Sequence, residues 1–316
     1  MEFAEHLELM QRSIAALSDT VYTEAEKAAW IASIAQSNLP ERLSQQFVME
    51  VTDEDQKMIG FASFTEGEID LLYIDAAHQR QGVGHELLED LELYARQEAW
   101  PSISTFASKA LFPLCIKHGY QVIETQDISL GDQVLRRFHV SKPLHNEHHI
   151  SRFFMETDRL YLREMLSIDA ENFYRLNADP EVMKHTGDTP FADVEASRQF
   201  LENYDPYSEE GMGRFTVIRK EDGQTLGWCG LRVMPDGDVD LGFRLDQAFW
   251  RQGYATEASI ACLEWGKYSL ELESIIGRCH PNNIASRKTL EKVGMQFEKE
   301  STDESGEPML VYRIRL

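Results

Sequence analysis

The chain has few of the devices that staple or anchor a protein. Its 316 residues hold four cysteines, Cys115, Cys229, Cys262 and Cys279, with no C-x-x-C pair and no metal-ligand spacing. That excludes a disulfide framework and leaves free thiols in a reducing cytoplasm as the expectation. No run of 18 apolar residues occurs, so no membrane-spanning helix is expected. The opening Met1-Glu2-Phe3-Ala4-Glu5-His6 is acidic and lacks the basic start and apolar stretch of a signal peptide. Cationic residues are scarce, 31 Lys and Arg against 54 Asp and Glu, for a formal charge of −23. This disfavours nonspecific nucleic-acid binding. There is no G-K-S/T phosphate loop and no long doubly wound parallel run to carry a nucleotide. The acid excess lies in both halves and has two readings, solubility or a field that steers cationic amines.

Hydrophobic residues make up 42%, enough for two cores, and the length suits two domains of ordinary size. Residues 5–17 and 24–36 pattern as amphipathic helices, with Thr23 and Glu26 as a capping box before the second. Strands are expected over Phe47–Val51, Met58–Phe64 and Glu68–Ile74, then a helix from His85 to Arg96. A strand near 102–106, a helix over 109–118 ended by Gly119, and strands near 120–125 and 134–140 complete a domain spanning 1–143. A connection over 144–156 carries Pro143 at its edge and the cluster His145, His148, His149, read as a solvated linker rather than a metal site. The second domain, 157–316, alternates strands and helices in a similar order, with strands near 159–164, 215–219, 226–233, 239–245, 275–279 and 309–316. Its helices are expected over 167–178, from Asp179-Pro180, over 253–268 and over 285–293.

Between the third strand and the next helix stands Gln79-Arg80-Gln81-Gly82-Val83-Gly84. Glycines in a strand-to-helix turn let backbone N–H groups approach an anion, and the helix start adds a favourable dipole. The chain says this twice: Asp75-Ala76-Ala77-His78-Gln79-Arg80-Gln81-Gly82 returns 171 residues later as Asp246-Gln247-Ala248-Phe249-Trp250-Arg251-Gln252-Gly253. Two copies of one fold, each with a pyrophosphate site, are expected.

The pattern resembles the GNAT superfamily of acyl-CoA N-acyltransferases, whose signature is Gln/Arg-x-x-Gly-x-Gly/Ala between its fourth strand and the following helix. Gln79, Gly82 and Gly84 match it fully; Gly253 and Ala255 match with Trp250 at the first position. The second half resembles the RimJ/RimL branch in Arg159-Leu160-Tyr161-Leu162-Arg163, Asn177-Ala178-Asp179-Pro180, Gly227-Trp228-Cys229-Gly230, Phe249-Trp250-Arg251-Gln252-Gly253-Tyr254-Ala255-Thr256 and Pro281-Asn282-Asn283-Ile284-Ala285-Ser286. The first half departs twice. The family opens with a strand where this chain opens with a helix, and the family's proton-donating tyrosine is replaced by Cys115 in Leu114-Cys115-Ile116-Lys117-His118-Gly119-Tyr120.

The resemblance implies two α+β domains, each a mixed, mostly antiparallel sheet, splayed at one point and flanked by helices. It implies acetyl-CoA as co-substrate, no metal, and transfer to a primary amine, either a protein N-terminus or a small amine. An alternative is an acyl-CoA-binding or scaffold protein in which one or both copies have lost chemistry. Backbone amides of Arg80, Gln81, Gly82, Val83 and Gly84, and of Arg251, Gln252, Gly253, Tyr254, Ala255 and Thr256, are expected to hold the pyrophosphate. Gln79 opens the first turn. The side chains of Arg80 and Arg251 either add charge there or lie solvated. The strand backbones around Leu72 and Ile74, and around Phe243 and Leu245, would bond the pantetheine. Glu68 is a candidate base in the first copy and Asp240 in the second, Glu68 having the alternative of a strand-end carboxylate facing solvent. Asn283 is expected on the cofactor arm and Ser286 near the sulfur as acid, with a plain helix cap as the competing role. Trp228, Phe243, Trp250 and Trp265 read as packing, and His185 and His280 as isolated structural histidines.

Overall fold

The computed structural model describes residues 4–144, 154–303 and 306–316. The three linker histidines fall outside them. The chain divides into two compact units, Met1–Ile150 and Ser151–Leu316.

Unit 1 runs α1 (Ala4–Ala15), α2 (Glu24–Gln36), α3 (Leu39–Ser44), β1 (Phe47–Thr52), β2 (Met58–Thr65), β3 (Glu68–Ile74), α4 (Val83–Gln97), β4 (Ser102–Ser108), α5 (Phe112–Lys117), β5 (Gln121–Leu130) and β6 (Gln133–Pro143). The α2 capping box forms as read: Thr23 Oγ1 accepts from Glu26 N–H at 3.3 Å, and Glu26 returns to Thr23 N–H at 2.7 Å. The sheet order is β1-β2-β3-β4-β6-β5, parallel only between β3 and β4. Leu9, Met10, Ile14 and Leu43 pack on Phe61 and Leu71 as a core between α1 and the sheet. Among the described residues no strand precedes α1.

Unit 2 runs β7 (Phe154–Glu156), β8 (Leu160–Glu164), α6 (Ala170–Ala178), α7 (Pro180–Met183), α8 (Val194–Glu202), α9 (Pro206–Glu209), β9 (Arg214–Arg219), β10 (Thr225–Val233), β11 (Val239–Leu245), α10 (Tyr254–Tyr268), β12 (Ser274–Cys279), α11 (Ile284–Lys292), β13 (Gln296–Thr302) and β14 (Pro308–Arg315). Its sheet order is β13-β14-β12-β11-β10-β9-β8-β7, again with one parallel pair, β11 with β12. Thus β9 to β14 repeat the order of β1 to β6, and β7 and β8 extend the far edge.

The elements differ from the pattern-based reading in specific places. Phe154–Glu156, inside the connection read from composition, pair with Tyr161–Arg163. The short helices α3 and α9 and the strand β13 carry no strong apolar period, and the amphipathic α8 was not anticipated; β13 is exposed along its whole length. Strands β5 and β6 run several residues past the expected ends, joined by a tight turn at Gly131-Asp132.

Candidate functional site

Both glycine turns are built from the same contacts. Asp75 at the end of β3 accepts the Ala77 N–H at 3.1 Å, and Asp246 at the end of β11 accepts that of Ala248 at 3.0 Å. An arginine from the first helix of each unit holds the same aspartate: Arg12 Nε lies 3.1 Å from Asp75 Oδ2, and Arg175 Nε lies 3.6 Å from Asp246 Oδ2. Arg80 and Arg251 share a left-handed φ of 60°, followed by Gly82 at 97° and Gly253 at 85°. A left-handed turn without a β-carbon exposes successive N–H groups on one side, which makes an anion-binding concavity at the helix start. Space over the first turn is free, since a β-carbon on Gly82 would meet nothing within 4 Å.

Trp250 corrects the reading of it as packing. It is 39% exposed, and its indole N–H donates to the Leu245 carbonyl, five residues back, at 2.7 Å. Gln79 makes the corresponding contact with its amide, to the Ile74 carbonyl, also five residues back, at 3.3 Å. The two different residues at the first motif position therefore do one job, capping the last carbonyl of the strand. Gln81 and Gln252 likewise reach back to Ala77 and Ala248 carbonyls at 2.7 and 3.0 Å.

Each parallel strand pair separates almost at once. Strand β3 meets β4 only at Glu68–Ser104 and Ile69–Thr105, and β11 meets β12 only at Asp240–Ile276. Beyond these points the outer halves of β3 and β11, including Leu72 and Ile74 in one and Phe243 and Leu245 in the other, ladder on one side alone. Open backbone edges of this kind take an extended amide-bearing chain as an added strand. Glu68 and Asp240 stand at the two forks.

Their surroundings differ. Glu68 is half-buried; burial, with Asp70 adding to it, raises its carboxyl above the ordinary range against the pull of His139 and Arg137. Asp240 is buried and ion-paired, its Oδ2 2.7 Å from Arg214. Arg214 comes from β9, two strands away, and crosses over Gly242; a β-carbon there would lie 2.7 Å from the guanidinium. Asp240 Oδ1 is buried with no hydrogen-bond partner. The Asp240 carboxylate is thus committed as the counter-charge of the Arg214 guanidinium.

Asn283 is the N-cap of α11, its Oδ1 accepting the Ser286 N–H at 3.0 Å. The cap uses the carbonyl end, so the amide N–H₂ remains a donor. The Ser286 hydroxyl faces the Cys279 thiol at the end of β12. Burial pushes that thiol up to about 11, with Arg287 and Ser286 pulling the other way.

Unit 1 has no counterpart. Cys115 is fully buried, and burial together with Glu92 drives its thiol far above the ordinary range. Glu92 belongs to a mostly buried cluster of charges. There His85 Nδ1 and His118 Nε2 are 2.6 Å apart, His118 Nδ1 is 3.6 Å from Glu92, and Lys142 Nζ is 2.6 Å from Glu92. Burial raises the Glu92 carboxyl, but His118 and Lys142 outweigh it and hold it below its ordinary value; burial lowers His118 against the opposing pull of Glu92.

Several residues of the unit 2 site were given no site role from the sequence, although Arg159 and Trp228 lie in stretches that carry the family resemblance. Arg159 donates to the Gln252 carbonyl at 3.0 Å, pairs with Glu257 at 2.6 Å, and lies 4.4 Å from the Tyr254 ring centre, pinning the second turn from outside. Arg214 and Arg244 flank Trp228, each 5.3 Å from its ring. His185 and His280, read as isolated, stack at 5.2 Å with an interplanar angle of 9°. An open cavity of about 410 Å³ lies beside the turn, lined by Arg175, Leu176, Ala178, Asp179, Val182 and Asp246. Among the described residues no group of three His, Cys, Asp or Glu is placed to hold a metal, and no helix is long and apolar enough to cross a membrane.

Comparison with known proteins gives two matches to family models, each described as an acetyltransferase (GNAT) domain, over residues 18–131 and 159–296. An uncharacterized N-acetyltransferase p20 of Bacillus licheniformis is 34% identical over 145 residues, 45% of this chain and 82% of that protein. An FsC-acetyl coenzyme A-N(2)-transacetylase of Aspergillus fumigatus is 30% identical over 153 residues, 45% of this chain and 64% of that protein. Among solved structures, a GNAT-family acetyltransferase from Bacillus anthracis is 26% identical, covers 52% of this chain and 98% of its own, and has a TM-score of 0.46.

Proposed function

The chain belongs to the GNAT acetyltransferases, and on that premise we propose that unit 2 moves the acetyl group of acetyl-CoA to a primary amine, a protein N-terminus or a small amine. The observations that support this are a glycine turn and an unpaired strand edge in unit 2, with Ser286 beside Cys279 at the end of the strand that parts from that edge. The residues fit the co-substrate, since left-handed Gly253 gives backbone amides to a pyrophosphate and the open edge of β11 gives backbone groups to the amides of pantetheine. Acetyl-CoA supplies the activated thioester. The amides of Arg251 to Thr256 hold the phosphates, the backbone of Phe243–Leu245 aligns the arm, and the free N–H₂ of Asn283 orients it. Ser286 keeps a proton within reach of the departing sulfur, where a positioned donor lowers the barrier. Asp240 holds Arg214 against the fork.

For unit 1 we infer acetyl-CoA binding through Arg80–Gly84 and the edge at Leu72 and Ile74, with turnover far below that of unit 2. The sealed Cys115 favours this reading; Glu68 alone, at the fork, has the raised carboxyl of a base.

Gly253→Glu places a carboxylate where the phosphates would sit, and Gly253→Ala carries similar left-handed strain without the charge. Gly253→Glu is expected to abolish both acetyl-CoA binding at unit 2 in calorimetry and thiol release with amines, while Gly253→Ala keeps most of each. Equal cofactor affinity in the two variants, at equal Tm, would overturn the assignment of the turn.

A further inference from the structure

The histidine stack stands where the two strands of unit 2 part. Arg244 lies in the unpaired half of β11 and grips the segment after α7: it donates to Asn177 and to Asp188, and its Nη1 is 3.5 Å from the Met183 sulfur. His185 belongs to that segment. His280 is the residue after β12 ends at Cys279, and the next residues turn into the Asn283 cap of α11. The two rings therefore meet over the gap between β11 and β12, one held from each strand, beside the Cys279–Ser286 corner.

Their protons can be placed from the hydrogen bonds. His280 Nδ1 accepts the Asn282 N–H at 3.1 Å, so the lone pair of that nitrogen is committed to the turn before α11, and His185 is the ring of the pair left to take a proton.

We propose that His185 is the proton acceptor for the incoming amine in unit 2, with His280 as its positioning partner. This rests on the acetyltransfer reading above and supplies what Asp240, committed to Arg214, does not. An ammonium entering the gap gives one proton to a ring nitrogen of His185, and its freed lone pair attacks the thioester carbonyl carbon. As the C–N bond forms and the C–S bond breaks, Ser286 passes its hydroxyl proton to the sulfur and takes the second proton of the nitrogen. The products are the amide and free thiol, and His185 returns its proton to solvent.

The charged neighbours agree with a neutral resting ring. Burial first, then His280 and Lys184, hold the His185 imidazole below its ordinary range, with Glu181 opposing. Across the segment, Asp188 is neutralised by Arg244, and Asp303 lies beside Gly187, 3.6 Å from where a β-carbon would stand. At neutral pH the ring is thus free to accept.

The test uses the full-length chain, with thiol release followed for propylamine, spermidine and an alanine-initiated tetrapeptide across pH 5–9. His185→Gln is expected to lower kcat/KM at pH 7 by about a hundredfold, typical of losing general acid–base help. It should also remove the acid limb of the pH profile, while acetyl-CoA Kd and Tm stay at wild-type values. Added imidazole is expected to restore part of the rate to His185→Ala. His280→Phe keeps a stacking ring and should shift the acid limb without abolishing it. Wild-type turnover with an unchanged acid limb in His185→Gln overturns the proposal and leaves the acetyltransfer reading standing, as does a slower variant whose limb persists and whose Tm has fallen. No thiol release from the wild-type chain with any of the amines overturns both.

Discussion

The two copies carry the same turn on different foundations. In unit 1 the helix after the turn, α4, is anchored from below, because Glu92 on its inner face is sealed with His118 and Lys142. In unit 2 the helix start is pinned from outside by Arg159, and the buried charges lie elsewhere, in Arg163 with Asp169, which also accepts from the Thr216 hydroxyl, and in Asp240 with Arg214 at the fork. Unit 1 has the buried thiol of Cys115 where the family resemblance expects a proton donor, next to the buried charges of Glu92, His118 and Lys142. Unit 2 keeps that region open, with Ser286, Asn283 and the histidine stack around the fork. On the proposed reading, phosphate binding by the turn is separable from proton transfer at the fork, and it is around the fork that the copies diverge.

The sharpest way to break the comparison is to remove the foundation of unit 1. Glu92→Gln leaves Lys142 buried without its counter-charge, and breaking a buried pair this way costs about 3–5 kcal/mol. Calorimetry should show one unfolding transition move down while that of unit 2 holds. The wild-type cluster also predicts acid sensitivity. His118 has a folded value below its ordinary 6.5, so just under pH 6.5 the unfolded chain binds a proton that the folded unit refuses. Stability then rises with pH in that window and is lost as pH falls. Glu92, lowered from 4.5, has the same sign in a more acidic window. A unit 1 transition indifferent to pH between 7 and 5 would show that the cluster is no foundation.

The next effect in size lies on the open side of unit 2. If Ser286 protonates the leaving sulfur, Ser286→Ala should lower kcat by about a hundredfold with acetyl-CoA affinity unchanged, because the lost contact forms as the thioester breaks. Asn283→Ala should raise KM for acetyl-CoA and also lower Tm, since its Oδ1 caps α11 and such caps are worth about 1 kcal/mol. Full kcat in Ser286→Ala at normal Tm would make Ser286 a helix residue and nothing more.

How much of this was legible follows from what each feature needs. The turns were readable because left-handed backbone at a strand-to-helix junction demands glycine, and a demand met twice at one spacing stands out. The splay could be expected only through the family likeness, since strand separation leaves no pattern in Leu72–Ile74 or Phe243–Leu245. The Asp240–Arg214 pair and the His185–His280 stack were invisible, because each joins residues far apart in the chain through a fold that one sequence does not display. The short helices α3 and α9 have too few turns to show a period, α9 being held by its Asp205 cap, whereas α8 has an amphipathic period behind the Asp193 cap that the pattern-based reading passed over.

The smallest expected effect tests the equivalence of the turns themselves. Trp250 and Gln79 each donate to the final carbonyl of the preceding strand, so the departure of unit 2 from the glycine motif changes the donor and keeps the contact. Trp250→Gln keeps a donor at that position and should leave acetyl-CoA affinity within about threefold, under the 1 kcal/mol typical of one hydrogen bond. Trp250→Phe keeps an aromatic ring but removes the N–H, freeing the Leu245 carbonyl at the edge where the pantetheine would run. Its affinity should drop by about fivefold, the equivalent of roughly 1 kcal/mol. If the phenylalanine variant binds as well as wild type while the glutamine variant does not, the ring matters and the hydrogen bond does not. The two turns would then be alike in backbone alone.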